Sequence, residues 1–177
     1  MEPNIKDAMH YKAKWEVARW ASEKDRQARR VYSREEALAL FGVGQFTVVK
    51  KNCLLDEGMN ELWSLIAGTG GVKFDNANAF LGVGDSATAA NKTQVGLQAA
   101  TNKLYKAMMA TFPTYGTSQQ AVWKSSFGSA EANWTWNEMT VANGNSDASD
   151  NLNRVVSAQG TKTSGQTWEL TLTITLS

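Results

Sequence analysis

The chain contains one cysteine, one histidine and two prolines in 177 residues. Cys53 cannot close an internal disulfide, and with His10 it cannot furnish the multi-ligand sets of zinc sites, so disulfide scaffolds and zinc fingers are excluded. A hydrolytic triad would have to use that one histidine, and it sits beside Met9 and Tyr11 in a basic, charged segment. No run approaches the roughly 20 apolar residues of a membrane span. The start, Met1–Asp7, lacks the basic stretch and apolar core of a secretory signal, so intracellular synthesis without a membrane partner is expected. Neither sign of charge dominates, with 18 Lys+Arg against 17 Asp+Glu. No global field draws the protein to nucleic acid or an anionic surface.

Hydrophobic residues, at 42%, and seven tryptophans are sufficient for a core, and the length suits one domain with an extension. Divided at Lys51, the charge separates: residues 1–51 hold 11 Lys+Arg and 7 Asp+Glu, a net of +4, and residues 52–177 hold 7 and 10, a net of −3. From Ile5 to Arg30 there is no Gly or Pro, and Ala, Lys, Glu, Arg and Gln dominate. That composition predicts a helix with a broken amphipathic stripe at Ala8, Tyr11, Trp15 and Ala18. Ser33-Arg34-Glu35-Glu36 has the form of a capping box, and Gly42 is placed to end the short helix that follows. Residues 1–45 are therefore expected to be a basic helical arm, and 46–177 a globular body.

In the body, Phe46–Val49 reads as a strand, and Leu54, Leu55, Met59, Leu62, Trp63, Leu65 and Ile66 recur at helical spacing. Beyond Gly68-Thr69-Gly70-Gly71 the chain turns to Gly, Asn, Ser and Thr with short apolar runs at 79–83, 104–111, 121–127, 132–142, 152–158 and 166–176. Trp168, Leu170, Leu172, Ile174 and Leu176 alternate with polar residues. The expected class is mainly β: an antiparallel β-sandwich or jelly-roll-like body with one packed helix. The run at 152–158 and the last strand are expected to form a hairpin.

Candidate chemistry is sparse. Gly82-Val83-Gly84-Asp85 lacks the Lys-Ser/Thr of a phosphate loop and reads as turn glycines. Cys53 reads as a buried or half-buried filler. Glu131 and Glu138 lie too far apart on an extended strand for a glycosidase pair and are expected at the surface or rim. Asp147 and Asp150 with Asn143, Asn145 and Asn151 do not match an EF-hand loop, so no metal and no cofactor is expected. Trp63 and Trp168 are assigned to core faces. Tyr11, Trp15, Arg19, Trp20, Arg26 and Arg30 are the candidate partner-binding residues of the arm. Trp123, Trp134 and Trp136 form the alternative, a carbohydrate platform, although the shared parity of Trp134 and Trp136 also suits a core. Acids mixed among the arm's basic residues disfavour nucleic acid.

From Leu54 onward the chain resembles a group of tailed-bacteriophage virion accessory proteins. The resemblance is carried by Asp56-Glu57-Gly58-Met59-Asn60-Glu61-Leu62-Trp63, by Phe74 to Ala90 with its Gly82-Val83-Gly84-Asp85 phrase, by Phe127 to Glu138, by Leu152-Asn153-Arg154, and by Gly160-Thr161-Lys162 with Trp168–Leu176. It covers about 70% of the chain and leaves out the first 50 residues. It implies a non-enzymatic virion protein, made in the host cytoplasm. With the arm, it suggests a capsid decoration or cement protein that binds the major capsid protein or other virion proteins. The alternative is a neck or tail component, with receptor or carbohydrate binding. The Thr face of the last strand suggests a homo-oligomer, for which a trimer is the expectation.

Overall fold

A computed structural model describes residues 11–177. His10 and the start of the expected arm lie outside the described residues. The element order is β1 (Tyr11–Trp20), α1 (Glu23–Gln27), α2 (Arg34–Phe41), β2 (Phe46–Val49), β3 (Cys53–Leu54), α3 (Asp56–Ala67), β4 (Phe80–Gly84), β5 (Lys103–Ala107), β6 (Thr114–Thr117), β7 (Gln120–Phe127), β8 (Glu138–Ala142), β9 (Asn151–Val156) and β10 (Thr167–Leu176). The strands form two antiparallel five-stranded sheets. Sheet A has the order β2-β1-β10-β7-β6, and sheet B has the order β3-β9-β8-β4-β5.

The protein is mainly β, and the expected arm is where it departs most from the sequence reading. Residues 11–20 form a strand, not a helix, and that strand pairs with β10 along its whole length, from Tyr11↔Leu176 to Trp20↔Thr167. Intrinsic helix propensity is worth only tenths of a kcal/mol per residue, whereas a ten-residue ladder and a buried face outweigh it. The alternation was present: Tyr11, Ala13, Trp15 and Val17 alternate with Lys12, Lys14, Glu16 and Ala18. Residues 11–45 are thus continuous with the rest of the fold, with β1 in the interior of sheet A between β2 and β10.

One apolar core joins the two sheets. Trp15 and Val17 of β1, Trp168, Leu170 and Leu172 of β10, and Phe127 of β7 meet Leu81 and Val83 of β4, Met139 and Val141 of β8 and Val155 of β9. Phe127, Trp136 and Trp168 stack edge to face, with centroids 4.8 and 4.9 Å apart. A second, smaller cluster of Trp20, Tyr32, Ala37 and Phe41 seats α2 on one end of sheet A. That helix begins and ends as its sequence predicts: Ser33 and Glu36 form the capping box, and Gly42 closes it in the left-handed region at φ 69°.

The expected hairpin between 152–158 and the last strand is not formed. β9 belongs to sheet B and β10 to sheet A, so residues 157–166 cross between sheets. The crossing is pinned by Lys162, whose Nζ donates to Gly128 O at 2.7 Å and Asn133 Oδ1 at 2.8 Å. Burial pushes the Lys162 ammonium down to about 8, against the opposing pull of Glu131.

α3 lies against β9, and Gly58 is the reason it can approach so closely: a Cβ there would fall 2.2 Å from Leu152 Cα. Leu62 and Leu65 pack on the main core. Trp63, expected on that face, points away and is 61% exposed, because residues 62 and 65 share a side that excludes residue 63. Among the described residues, no helix is long and apolar enough to cross a membrane.

Candidate functional site

The six residues expected to anchor a partner are almost all occupied in building the fold. Trp15 is fully buried in the main core, and Trp20 is buried in the smaller one, edge to face with Phe46. Arg19 is also fully buried, and its guanidinium lies 4.6 Å from the Trp168 ring centroid. It donates to Gly44 O and Thr47 Oγ1 at 3.1 Å and to Gln159 O at 2.8 Å. Burial pushes Arg19 down to about 9. Its bonds tie β1 and β2 to the sheet-crossing segment. Tyr11 accepts a hydrogen bond from Asn153 Nδ2 at 3.3 Å, and burial pushes its hydroxyl up to about 12. Arg26 bridges Glu23 and Glu169. Of the set, Arg30 keeps an exposed side chain, lying over Tyr32 near Asp25 and Glu36. These residues do not form an arm, because the strand ladder draws β1 into the sheet.

The carbohydrate platform is likewise not assembled. Trp123 is buried and donates from its indole to Phe74 O at 2.9 Å. Trp136 is fully buried and donates to Ala132 O at 3.0 Å. Trp134 is half-buried against the core. Trp168 is in the core as expected, and Cys53 is half-buried.

Glu138 is not at the rim. It is fully buried on the outer side of sheet B and paired with the equally buried Arg154 at 2.6 Å. Its carboxylate also accepts from the Ala99 and Gln98 amides at 2.7 and 3.0 Å, while Arg154 donates to Gln94 Oε1 and Thr88 O, both at 2.9 Å. The pair is a latch that holds the segment 85–99 over the sheet. The Gly82-Val83-Gly84 phrase is part of it and is not a turn: it lies within β4, and a Cβ on Gly84 would stand 2.4 Å from Glu138 Oε1. Glu131 instead pairs with Lys106 and accepts from the Gly128 amide at 2.8 Å.

The polar loop 143–150 serves the same covering layer. Asp147 accepts from Tyr105 Oη at 2.7 Å, from the Leu97 amide at 3.2 Å, and from Lys103. Among the described residues, no group of three or more His, Cys, Asp and Glu side chains is gathered as metal ligands would be.

The surface carries what the interior does not use. Trp63 and Ile66 stand exposed on α3, and Val31, Phe46 and Val48 stand exposed near the edge of sheet A. The latter three border a groove of about 420 Å³ that reaches Trp20 and Glu169. A second cleft, of about 750 Å³, lies beside the start of β1 and is ringed by lysines. The sequence signal for the first groove was the apolar pair Phe46 and Val48 on one face of the strand, opposite Thr47 and Val49. Comparison with family models, with curated proteins and with solved structures returns no match.

Proposed function

We propose that the chain is a non-enzymatic structural protein of a tailed-phage particle, with a sandwich-like body that binds the major capsid lattice as a decoration or cement protein. The carrying observation is the placement of its uncovered apolar side chains: Trp63 and Ile66 on α3, and Val31, Phe46 and Val48 beside β2. Clustered exposed apolar residues of this size, centred on aromatics, are the kind that anchor protein interfaces. The resemblance of residues 54–177 supplies the setting. Buried charge is spent on internal latches such as Glu138–Arg154, which keep the body rigid.

Attachment on this reading runs through the rim of the body instead of a free arm. A projecting Trp63 on one copy and the groove beside Phe46 on another offer a head-to-tail contact that a cyclic homo-oligomer closes, with a trimer as the proposed form. The direct test is the copy number of this chain in purified particles, measured by quantitative mass spectrometry. Hundreds of copies per particle support the capsid role, and about three to twelve point to the neck or tail, where symmetric rings set the count. Absence from the particle removes the reading.

A further inference from the structure

The register of β1 leaves a gap in sheet A. β1 pairs with β10 over ten residues but with β2 over only four, from Trp15↔Val49 to Ala18↔Phe46. Past Val49 the chain leaves the sheet through Lys50, Lys51 and Asn52 to reach β3 in sheet B. Among the described residues, no strand therefore lies beside Tyr11–Lys14 on the β2 side. The Arg19 amide donates to Gln45 O on that side. Amides of an extended strand alternate in direction, so the Ala13 N–H and C=O open into the gap. The gap opens onto a cleft of about 750 Å³, lined there by Ala13, Lys50, Lys51 and Asn52, that continues across the outer face of sheet A past Lys12 and Thr175. Lys12, Lys50 and Lys51 are exposed and make no ion pair with a carboxylate of the described residues, whereas Lys14 is held by Glu16 at 2.9 Å.

We infer that this gap is a docking slot for an extended acidic segment of a partner protein, which adds to β1 as a strand in the lane that β2 leaves empty. Main-chain hydrogen bonds to Ala13 supply the strand geometry, and the lysines select acidic side chains. The open lane spans four residues, about 13 Å, enough for a short strand. Charge complementarity alone would also admit a nucleic-acid backbone. A phosphodiester, however, offers only acceptors and cannot satisfy the Ala13 carbonyl. The slot depends on the sheet and its lysines and holds apart from the virion reading.

The test is fluorescence anisotropy with the full-length protein and a fluorescein-labelled (Glu-Val)4 peptide. Saturable binding is expected, weakened about tenfold or more for (Lys-Val)4 and for (Glu-Val)4 methylated on alternate backbone nitrogens. Ala13→Pro removes the donor that faces the gap and leaves the β10 ladder intact, as edge-facing prolines do. Loss of peptide binding at an unchanged melting temperature is the expected result. The double variant Lys50→Glu/Lys51→Glu, on exposed positions, gives the same loss and decides the matter if Ala13→Pro fails to fold. Equal binding of the methylated peptide, preferential binding of a 20-nucleotide oligothymidylate, or no binding of (Glu-Val)4 overturns the inference.

Discussion

The two sheets share a core but differ on their outer faces. Sheet B is covered on both sides: every residue of β8 is buried, as are Asn151–Val155 of β9, beneath the segment 85–99 and α3. Among the described residues, sheet A is covered only at one end, where α1 and α2 sit over Trp20, and elsewhere it presents half-exposed Thr171, Thr173 and Thr175. The same strand geometry thus supports two electrostatic regimes. Charge on sheet B lies in a dry layer and must be paired, as Glu138 is with Arg154. On sheet A the buried carboxylate of Glu169, itself 2% exposed, sits at the covered end and accepts from the more accessible Lys124 and Arg26, while Lys12, Lys50 and Lys51 at the other end are exposed. A sheet buried on both faces is sensitive to lost volume and to stranded charge, and a sheet with one wet face is free to serve as a surface.

The sharpest way to break this contrast is to unpair the latch. Arg154→Ala leaves Glu138 buried with two backbone amides as its remaining partners, and the expected loss is about 3–5 kcal/mol by urea denaturation. Replacing both partners, as Glu138→Leu/Arg154→Met, should cost clearly less, because no charge is then stranded. A single variant no worse than the double would refute the dry-layer account. Next in size is Gly58→Ala, which sets a methyl against the backbone of β9 and should cost about 3 kcal/mol, read as a fall in the denaturation midpoint.

The effect on sheet A is smaller and depends on pH. Burial pushes the Glu169 carboxyl up, but hydrogen bonds from Lys124 and Arg26 outweigh it and hold the carboxyl below the usual range. A carboxyl with a lowered folded pKa contributes in full above its unfolded value, near 4.3, and loses that contribution as pH falls through the folded value. Glu169→Gln should therefore cost about 1 kcal/mol at neutral pH and flatten the fall in stability below about pH 4.5, measured by thermal melts across the acid range. Smallest of all is Trp63→Ser. Stability should move by less than about 0.5 kcal/mol, since the side chain is mostly in solvent, while association measured by light scattering or particle loading should drop.

Local signals were legible wherever the physics was local. The capping box at Ser33–Glu36 and the Gly42 terminus need only neighbouring residues, and α2 forms where they indicate. Strands β2 and β10 were readable from β-branched and alternating side chains, and α3 from its apolar spacing. The candidate site was far less legible. Trp15, Arg19 and Trp20 read as free anchors because their own charged segment offers nothing local to pack on. The partner they pack on, β10, lies some 150 residues away in the chain. Glu138 reads as a rim carboxylate because its neutralising Arg154 and covering segment arrive from elsewhere. Trp63 was misplaced by one helical position: the stripe was correctly seen, but its centre is fixed by which side Gly58 turns to β9.

Sequence alone determined the mainly β class, the caps of α2, the core role of Trp168, and that the lone Cys53 cannot close an internal disulfide. These follow from composition and short-range stereochemistry, which each residue carries with it. Tertiary structure decided that residues 11–20 are a strand, that β9 and β10 part company into different sheets, that Glu138 and Arg154 are buried together, and that among the described residues no strand fills the lane beside Ala13. Each of these depends on free energy gained only when distant segments meet: ladder hydrogen bonds, a shared core, and the pairing of charges that neither segment could bury alone.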